Sequence, residues 1–394
     1  MRYILFSISI IFLFFNCKRD DRQDSILLQA KYIDIHNPIS ISINDLITDI
    51  DTIRLEATDS SLLGDIHMMH IMNDKLYILD TKNNAVFIFS RNGDFIRKIY
   101  RAGQGPLEYI RINGFEVDYR QKHLILTDSF SKRIFIFDEY GELLNVINLR
   151  FSSHILMASS GGFLNFYTGP KQMYNTTEME DYNIHVLDSC GNFISSFLEN
   201  QTPLRIDIGS AERIDYNAQS EDVLFQPTLS DTIYRIDRNM QVHPEYVFRN
   251  KSDYKFLSLK ERRAMTYMYG DEKQVEEKEN EGYWLSWGCI YNLDDYCLFR
   301  VGWNHRKCLF YNKINRKSIT IDMEKIEGES ALCRLFNTHI CQTEGNYFYN
   351  SIPLFLVDEL ADKLPEGKLK TFFQNNNNAD SNPLIIKYKM KFPE

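Results

Sequence analysis

Two segments of the chain carry the same residue pattern, and this repeat constrains the fold more than any other feature. The first copy is Leu76–Gly93 and the second is Leu124–Gly141, which begins 48 residues later. Each copy contains two short apolar runs, a polar segment between them, and a Gly placed three residues after a Ser or an Asp. A fixed period of this length indicates an array of similar supersecondary units.

The apolar runs predict antiparallel β-strands that are buried on both faces. They are four or five residues long, rich in Ile, Val and Phe, and bounded by polar turn residues. An antiparallel sheet in a two-layer sandwich leaves one face in water, so its strands alternate between apolar and polar residues. The blades of a propeller bury both faces of each small sheet against the neighbouring blades. The continuous runs therefore favour a propeller.

Further copies fix the number of blades. Aligned on the residue before the turn, the first four copies fall at regular spacings of 48, 50 and 49 residues: Phe89, Phe137, Leu187 and Ile236. A fifth copy ends at Tyr311, after an insertion of helix formers and charged residues at about 250–288. A sixth begins at Asn346 but is short of strands, and a helix is predicted within it around Leu354.

The N-terminal strand predicted at Ile50–Glu56 has no blade of its own. Its pairing with the sixth blade would remove two exposed strand edges and close the ring. We therefore predict an all-β fold over residues 46–394, a six-bladed β-propeller of four-stranded antiparallel blades. The N-terminal strand closes this ring, and small helical insertions interrupt it.

The turn residues give a local test of this repeat. Gly93, Gly141 and their counterpart Gly191 suit the left-handed backbone conformation at the end of the turn. Met240 replaces Gly in the fourth copy, and Asn312 with Asn315 occupies the turn of the fifth, where Asn315 is predicted to take the left-handed conformation. The recurring acids Asp80, Asp128 and Asp188 are predicted to have a structural role in turns.

The first residues predict export. Residues 1–16 contain Arg2 followed by an apolar run that is too short to span a bilayer, the form of a secretory signal. Leu13–Cys17 resembles the lipobox of bacterial lipoproteins, in which the Cys is lipidated and becomes the first residue. The charged residues after Cys17 resemble a signal for the outer membrane surface. Residues 17–45 are predicted to be the lipidated Cys and a tether, and the location to be the outer membrane, at the cell surface or its periplasmic face.

Several blade segments carry a family resemblance. Asp80-Thr81, Gly93–Ile99, Gly103–Tyr109 and Asp231–Ile236 resemble NHL-type repeats and, more closely, the six-bladed β-propeller lipoproteins of Gram-negative bacteria. The resemblance covers nearly all of the chain from Ile50 onward. It implies an exported, lipid-anchored propeller and no particular activity.

Few motifs indicate chemistry. The net charge of −9 argues against nucleic-acid binding. Apart from Cys17, the six cysteines lack the Cys-x-x-Cys spacing of zinc sites and are predicted to be buried thiols, with a Cys289–Cys297 disulfide as the alternative. His67 and His70 are predicted to point to opposite faces of one strand. No metal site and no cofactor are predicted, although a cation held by several blades in the central funnel would leave no local spacing signature.

Two classes of function remain. The first is a membrane-anchored binding or scaffold module for a partner protein or a glycan, and the second is a hydrolase or lyase with its site in the central funnel. We favour binding, because a fold alone does not establish chemistry. The candidate binding residues lie in the loop that crosses from the first blade to the second: Arg101, Gln104, Glu108 and Tyr109. Trp284, Trp287 and Trp303 are candidate anchors, although burial under the 250–288 insertion explains them better.

Overall fold

The protein is described from a computed structural model. The structure describes residues 30–392 with internal gaps, and the described ranges are 30–153, 155–159, 161–166, 181–201, 214–217, 222–237, 239–265, 272–301, 307–323, 340–376 and 382–392. The predicted signal peptide and Cys17 lie outside these residues, as do Cys333 and Trp303.

Six antiparallel sheets form six blades, as predicted. In each blade the strand named first is the innermost. Blade 1 has β3 Met68–Met72, β4 Lys75–Asp80, β5 Ala85–Ser90 and β6 Phe95–Ile99; blade 2 has β7 Gly114–Asp118, β8 His123–Asp128, β9 Arg133–Asp138 and β10 Leu143–Asn148; blade 3 has β11 Ile155–Ser159, β12 Gly162–Phe166, β13 Tyr182–Asp188 and β14 Phe193–Glu199. Blade 4 has β15 Ile214–Asn217, β16 Asp222–Phe225, β17 Thr232–Ile236 and β18 Val242–Asn250; blade 5 has β19 Ser286–Asn292, β20 Tyr296–Val301, β21 Lys307–Asn312 and β22 Ser318–Asp322; blade 6 has β23 Ile340–Glu344, β24 Tyr347–Ile352, β25 Leu384–Met390 and β2 Ile47–Ile53.

The hydrophobic core is divided among the junctions between blades. Tyr77 and Leu79 of blade 1 pack in one cluster with Phe115 and Phe135 of blade 2. The same two-sided burial explains why β4 and β5 read as continuous apolar runs, since five consecutive residues of each are buried. The blade-on-blade packing inferred from these runs is therefore confirmed.

The N-terminal strand closes the ring as predicted. β2 is the outermost strand of blade 6 and pairs antiparallel with β25, from Ile47 opposite Met390 to Ile53 opposite Ile385. Leu46 and Ile47 are fully buried in the junction between blades 5 and 6. A strand from the start of the sequence thus completes a sheet whose other three strands come from the end of the sequence. This pairing closes the ring.

The predicted tether is shorter than residues 17–45. Lys31–Ile35 forms a further strand, β1, which pairs in parallel with β18 and extends blade 4 to five strands. Ile33 and Ile35 are fully buried between blades 4 and 5, and Ile39 bridges to Ile321 of blade 5. We call residues 30–53 the N-terminal arm, because they run along the outer edges of blades 4, 5 and 6 in turn. This strand was not predicted because the alternation of apolar and polar residues in Tyr32–Ile35 is short. Its partner strand, β18, also lies more than 200 residues away in the sequence.

The turns between the third and fourth strands follow the repeat. The amides of Gly93, Gly141, Gly191 and Met240 each donate to the carbonyl three residues earlier, and all four residues have positive φ. Position 93 requires glycine for two reasons: its φ is positive, and an added Cβ would lie 1.9 Å from the Arg54 carbonyl oxygen. In blade 5 the prediction for Asn315 is wrong: Arg316 takes the left-handed conformation, with φ of 59°, because this turn is one residue longer.

Helices occupy the insertions. The described part of the chain has α1 Ile43–Leu46, α2 Leu259–Ala264, α3 Glu272–Asn280, α4 Leu354–Lys363 and α5 Lys368–Asn375. Ser258 begins α2 in a capping box with Glu261. Among the described residues, no helix has the length and apolar character needed to cross a membrane.

The described cysteines match the sequence prediction with one exception. Cys289, Cys297 and Cys308 are buried thiols in strands of blade 5, whereas Cys190 is exposed in a turn. Cys289 lies opposite Arg300 and Cys297 opposite Asn292, so the alternative Cys289–Cys297 disulfide does not form. Trp284 is buried and packs against Phe248 and against Tyr254 of the 250–288 insertion, as the burial interpretation required.

Candidate binding surfaces and channel site

The crossover loop from blade 1 to blade 2 is held together by Tyr109. This side chain is fully buried, although Tyr109 was a candidate binding residue from the sequence. Its hydroxyl accepts a hydrogen bond from the Arg101 amide at 2.9 Å and donates to the Asn84 carbonyl at 3.2 Å. Burial raises the pKa of Tyr109 to about 12, so the hydroxyl remains a donor at all physiological pH values. Tyr109 therefore shapes the loop rather than contacting a ligand.

Glu108 has a similar structural task. Its carboxylate accepts a hydrogen bond from the Gly105 amide at 2.8 Å and lies directly over Gly103, where an added Cβ would be 2.0 Å from the carboxylate oxygen. The two glycines thus make room for a carboxylate that closes the loop from inside. Of the four candidate residues, Arg101 and Gln104 are exposed.

The same face carries a group of exposed apolar side chains that the sequence analysis did not single out. The exposed fractions of Leu62, Leu107, Ile110 and Phe130 are 57%, 50%, 52% and 63%. All four lie in loops at the end of blades 1 and 2 where the crossovers run, which we call the crossover face. We call these four residues the crossover-face patch. The opposite end, with the turns at Gly93 and its counterparts, is the turn face.

A buried carboxylate joins two members of this patch. Asp128 accepts hydrogen bonds from the amide of Ile110 at 2.7 Å and from the amide of Phe130 at 3.0 Å. Asp128 is itself 1% exposed and also bonds the Ser131 amide and hydroxyl. Since both amides meet one carboxylate, Ile110 and Phe130 are held side by side.

Asp80 has the corresponding place in blade 1. It accepts hydrogen bonds from the amides of Gly64 and Asn83, and the Asn83 side chain in turn donates to the Leu62 carbonyl. Burial opposes ionisation of Asp80, but the bonds from Asn83 and Gly64 outweigh it and lower the pKa of this carboxyl. Asn84 donates to the Ile110 carbonyl at 3.0 Å. The predicted structural role of the recurring acids is confirmed, and two of them build the base of the patch.

A groove lies on the turn face between blades 2 and 3. Its volume is about 300 Å³. Its lining combines apolar with polar side chains: Ile125, Ile136, Leu144, Ala158 and Phe163, with Asp118, Gln121, His123, Asn145 and Ser189. A cavity of this size accommodates a small ligand.

Side-chain length explains why the groove opens at this junction. Between blades 1 and 2, the Tyr77 hydroxyl donates to the Glu139 carbonyl at 3.1 Å, and Lys75 reaches the Glu139 carboxylate at 3.4 Å. The repeat places Ile125, His123 and Ser189 at the corresponding positions between blades 2 and 3. Between blades 2 and 3, these shorter side chains leave empty the space that Tyr77, Lys75 and Glu139 fill between blades 1 and 2.

The central channel carries an imidazole and a carboxyl group close together. His70 is on β3 and Glu116 on β7, the innermost strands of adjacent blades, and His70 Nε2 lies 3.7 Å from Glu116 Oε2. Burial raises the pKa of Glu116 to about 8 and lowers that of His70 to about 4. The described residues contain no group of three or more His, Cys, Asp or Glu side chains able to hold a metal ion together.

The fold defines the protein as a six-bladed β-propeller. The chain belongs to the family of the domain of unknown function DUF4934, whose model matches residues 30–389. A comparison with curated proteins finds no match.

Three solved structures illustrate the structural similarity. A candidate exported protein from Bacteroides fragilis is 16% identical with a TM-score of 0.68, over 92% of this chain and 100% of that one. A DUF4221 family member from Bacteroides vulgatus is 10% identical with a TM-score of 0.47, over 88% and 98% of the two chains. A streptogramin B lyase is 12% identical with a TM-score of 0.36, over 70% and 72%. The first similarity shows the fold alone.

Proposed function

We propose that this protein is an exported outer-membrane lipoprotein, anchored through Cys17, that binds a partner protein through the crossover-face patch. The observation that carries the proposal is the group of four large apolar side chains, each at least half exposed, on neighbouring loops. Single exposed apolar residues are ordinary on protein surfaces, whereas a contiguous group indicates an interaction site.

The rigidity of these loops supports binding. Asp128, Asp80 and Tyr109 hold the backbone beneath the patch through partly buried hydrogen bonds. Arg133 adds a bond from its guanidinium to the Pro106 carbonyl at 3.0 Å, next to Leu107. A surface that is already ordered loses little conformational entropy when a partner docks, so more of the contact energy appears as affinity.

Charge indicates the kind of partner. Arg101 and Arg111 are exposed and flank the crossover residues Leu107 and Ile110 in the sequence, although the chain as a whole has a net charge of −9. An apolar centre with basic residues at its rim is complementary to an apolar anchor surrounded by acidic residues. We therefore expect an acidic protein surface as the partner.

Replacement of apolar patch residues by aspartate tests the proposal. The variant Leu107→Asp/Ile110→Asp/Phe130→Asp should reduce partner binding by at least about ten-fold, because loss of an interface anchor costs 2 kcal/mol or more. A photo-crosslinking residue at Gln104 should label the partner in intact cells, and the same residue at Asn92 on the turn face should not. The measurement is the yield of crosslinked species and the affinity for the purified partner.

Matched controls come from the outer strands. Ile96 and Ile194 are 49% and 60% exposed but lie outside both the patch and the groove, so Ile96→Asp and Ile194→Asp should keep binding and melting temperature. The proposal is wrong if the triple variant binds as well as these controls. If Ser189→Trp, which fills the groove, abolishes binding while the triple variant retains it, the ligand enters the turn face, and a glycan array then becomes the appropriate screen.

Lipidation is tested separately. Cys17→Ser should release the protein from membranes and abolish labelling by a fatty-acid analogue, because the thiol is the attachment point in a lipoprotein signal. Membrane fractionation and metabolic labelling measure the two effects. A wild-type protein that stays with membranes but carries no labelled lipid would contradict the anchor.

A further inference from the structure

The groove on the turn face between blades 2 and 3 brings together polar side chains that have few partners of their own. Its volume is about 300 Å³. Both blades contribute polar side chains to its lining: Asp118, Gln121, His123 and Asn145 from blade 2, with Ser159 and Ser189 from blade 3. The hydrogen bonds that these side chains already make show what they can still offer a ligand.

Two of the polar side chains use only part of their bonding capacity. One carboxylate oxygen of Asp118 accepts from the amides of Arg120 and Gln121, both at 3.0 Å, and the other oxygen has no partner among the described residues. The side-chain oxygen of Asn145 accepts from the Val146 amide at 2.9 Å, and within the described chain its N–H groups donate to nothing. An acceptor of Asp118 and two N–H donors of Asn145 are therefore available to a ligand.

The hydroxyl group of Ser159 is unsatisfied. Its oxygen is buried, and it has no hydrogen-bond partner in the part of the chain that the structure describes. The side chains of Gln121, His123 and Ser189 also make no hydrogen bond to any described residue. Most buried polar side-chain atoms in proteins have a partner, so the groove is suited to a ligand that supplies several hydrogen bonds at once.

Apolar side chains lie deeper in the same groove. Ile125 and Phe163 are 2% and 5% exposed, whereas Gln121 and Asn145 are exposed. Binding pockets commonly combine an apolar lining with a few polar groups that fix the orientation of the ligand. A matching ligand therefore has C–H surface as well as polar groups.

The charge and the donor–acceptor balance of the lining disfavour ions. Asp118 contributes a carboxylate, and no described Lys or Arg lines the groove, so an anionic ligand meets a like charge without a counter-charge. An ammonium group only donates, so it leaves the N–H groups of Asn145 and Gln121 without acceptors. A hydroxyl group both donates and accepts, and it matches carboxylate, amide, hydroxyl and imidazole alike.

We propose that this groove binds the ring of a neutral sugar unit. Hydroxyl groups of the ring donate to the available oxygen of Asp118 and accept from the side-chain N–H groups of Asn145 and Gln121. The C–H surface of the ring packs against the apolar side chains. A peptide unit, with one donor and one acceptor, uses fewer of the polar groups. The site is independent of the crossover-face patch.

Methyl glycosides test the proposal directly. The probes are the methyl glycosides of glucose, galactose and mannose, the uronate and amino analogue of each, and N-acetylglycine N-methylamide as a peptide unit. At pH 7 at least one neutral glycoside should bind with a dissociation constant of about 1 mM, as expected for a ligand of this size. It should bind about ten-fold more tightly than its two charged analogues and the peptide unit, the effect of one lost hydrogen bond.

Methyl resonances locate the binding site. With isoleucine methyl groups labelled, the neutral glycoside should shift the resonances of Ile125 and Ile136, assigned with Ile125→Val and Ile136→Val. The resonance of Ile78, which is fully buried between blades 6 and 1, should not move. The proposal is overturned if no neutral glycoside shifts Ile125 or Ile136, or if a charged analogue or the peptide unit binds as tightly as the best glycoside.

Variants separate the groove from the rest of the turn face. Ser189→Trp fills the groove and should abolish glycoside binding, whereas Asn92→Trp adds the same side chain at an exposed turn of blade 1 and should keep it. Asn145→Leu removes the N–H donors at similar size and should weaken binding about ten-fold. Ser189→Trp should leave partner binding through the crossover-face patch unchanged. Glycoside binding that survives Ser189→Trp would place the sugar elsewhere and overturn the proposal.

Discussion

A mature chain that starts at Ala57 is expected to lose the folded, soluble monomer. This deletion removes the N-terminal arm and the residues up to Glu56, and therefore both β1 and β2. It exposes the paired edges of β18 and β25, which are templates for pairing with other chains. Aggregation should accompany the loss of stability.

The energy involved is comparable with the stability of a whole protein. The deletion removes five apolar side chains that are at most 5% exposed: Ile33, Ile35, Leu46, Ile47 and Leu55. Burial of each contributes about 1.5–3 kcal/mol, so the total is on the order of 10 kcal/mol. Folded proteins are typically stable by about 5–15 kcal/mol. The ring therefore has little or no stability left without its closing strand.

The measurements are the soluble yield, the oligomeric state and the thermal unfolding curve. A chain that starts at Ala30 is the control, since it keeps β1 and β2, and it should melt like the mature protein. A chain that starts at Asn37 loses β1 alone and should show an intermediate destabilisation, because Ile33 and Ile35 leave the junction of blades 4 and 5. Cooperative melting of the Ala57 chain within a few degrees of the control would show that closure does not depend on the arm.

The second large effect is the removal of a buried acid from the channel. Glu116→Gln is expected to stabilise the protein at pH 7 by about 3 kcal/mol. The carboxyl has an ordinary pKa of 4.5 and a folded-state pKa of about 8. Between these values the unfolded chain has released the proton while the folded chain retains it, so the free energy of unfolding decreases as the pH rises from 4.5 to 8. Glutamine does not ionise and removes this decrease.

His70 contributes in the opposite pH range. Its pKa falls from 6.5 to about 4 on folding, so below pH 6.5 the unfolded state takes up a proton that the folded state refuses. The free energy of unfolding then decreases as the pH falls from 6.5 to 4. His70→Gln should remove this acid limb, by about 2 kcal/mol at pH 5, and leave the alkaline limb in place.

Urea unfolding between pH 4.5 and 8.5 measures both limbs, with His243→Gln as the control for a surface His–Asp pair. A wild-type protein whose stability is constant between pH 5 and 8, or a Glu116→Gln variant that is less stable than wild type at pH 7, would mean that the carboxyl is paired and ionised in the folded state.

Much of the architecture could be predicted because a propeller repeats itself. The spacing of Phe89, Phe137, Leu187 and Ile236 gave four blades, and the turn chemistry of Gly93 and its counterparts held even where Met240 replaced Gly. The strand that closes the ring could be predicted because the N-terminal strand had no blade of its own and the sixth blade was short of strands. The repeat spacing and the turn conformation can be recognised from the sequence alone, because each depends on residues that are close together in the chain.

The sequence singled out the crossover loop but not which of its side chains are exposed. The crossover loop does lie on the face with the exposed patch, yet Tyr109 turned inward and Leu107 and Ile110 outward. Residue type could not decide this, since aromatic and aliphatic side chains in a short loop are equally suited to burial. Hydrogen bonds from neighbouring segments determine it: Asp128 accepts from the Ile110 amide, and Asn84 donates to the Ile110 carbonyl.

The sequence by itself determined the number of blades, the turns of the first four blades and the strand that closes the ring. Tertiary structure alone decided that β1 extends blade 4, that Ile125, His123 and Ser189 leave a groove, and that Glu116 meets His70 in the channel. The physical reason is the range of the interactions. A repeat and a turn depend on neighbours a few residues away, whereas burial, hydrogen-bond partners and pKa depend on which blades the closed ring brings together.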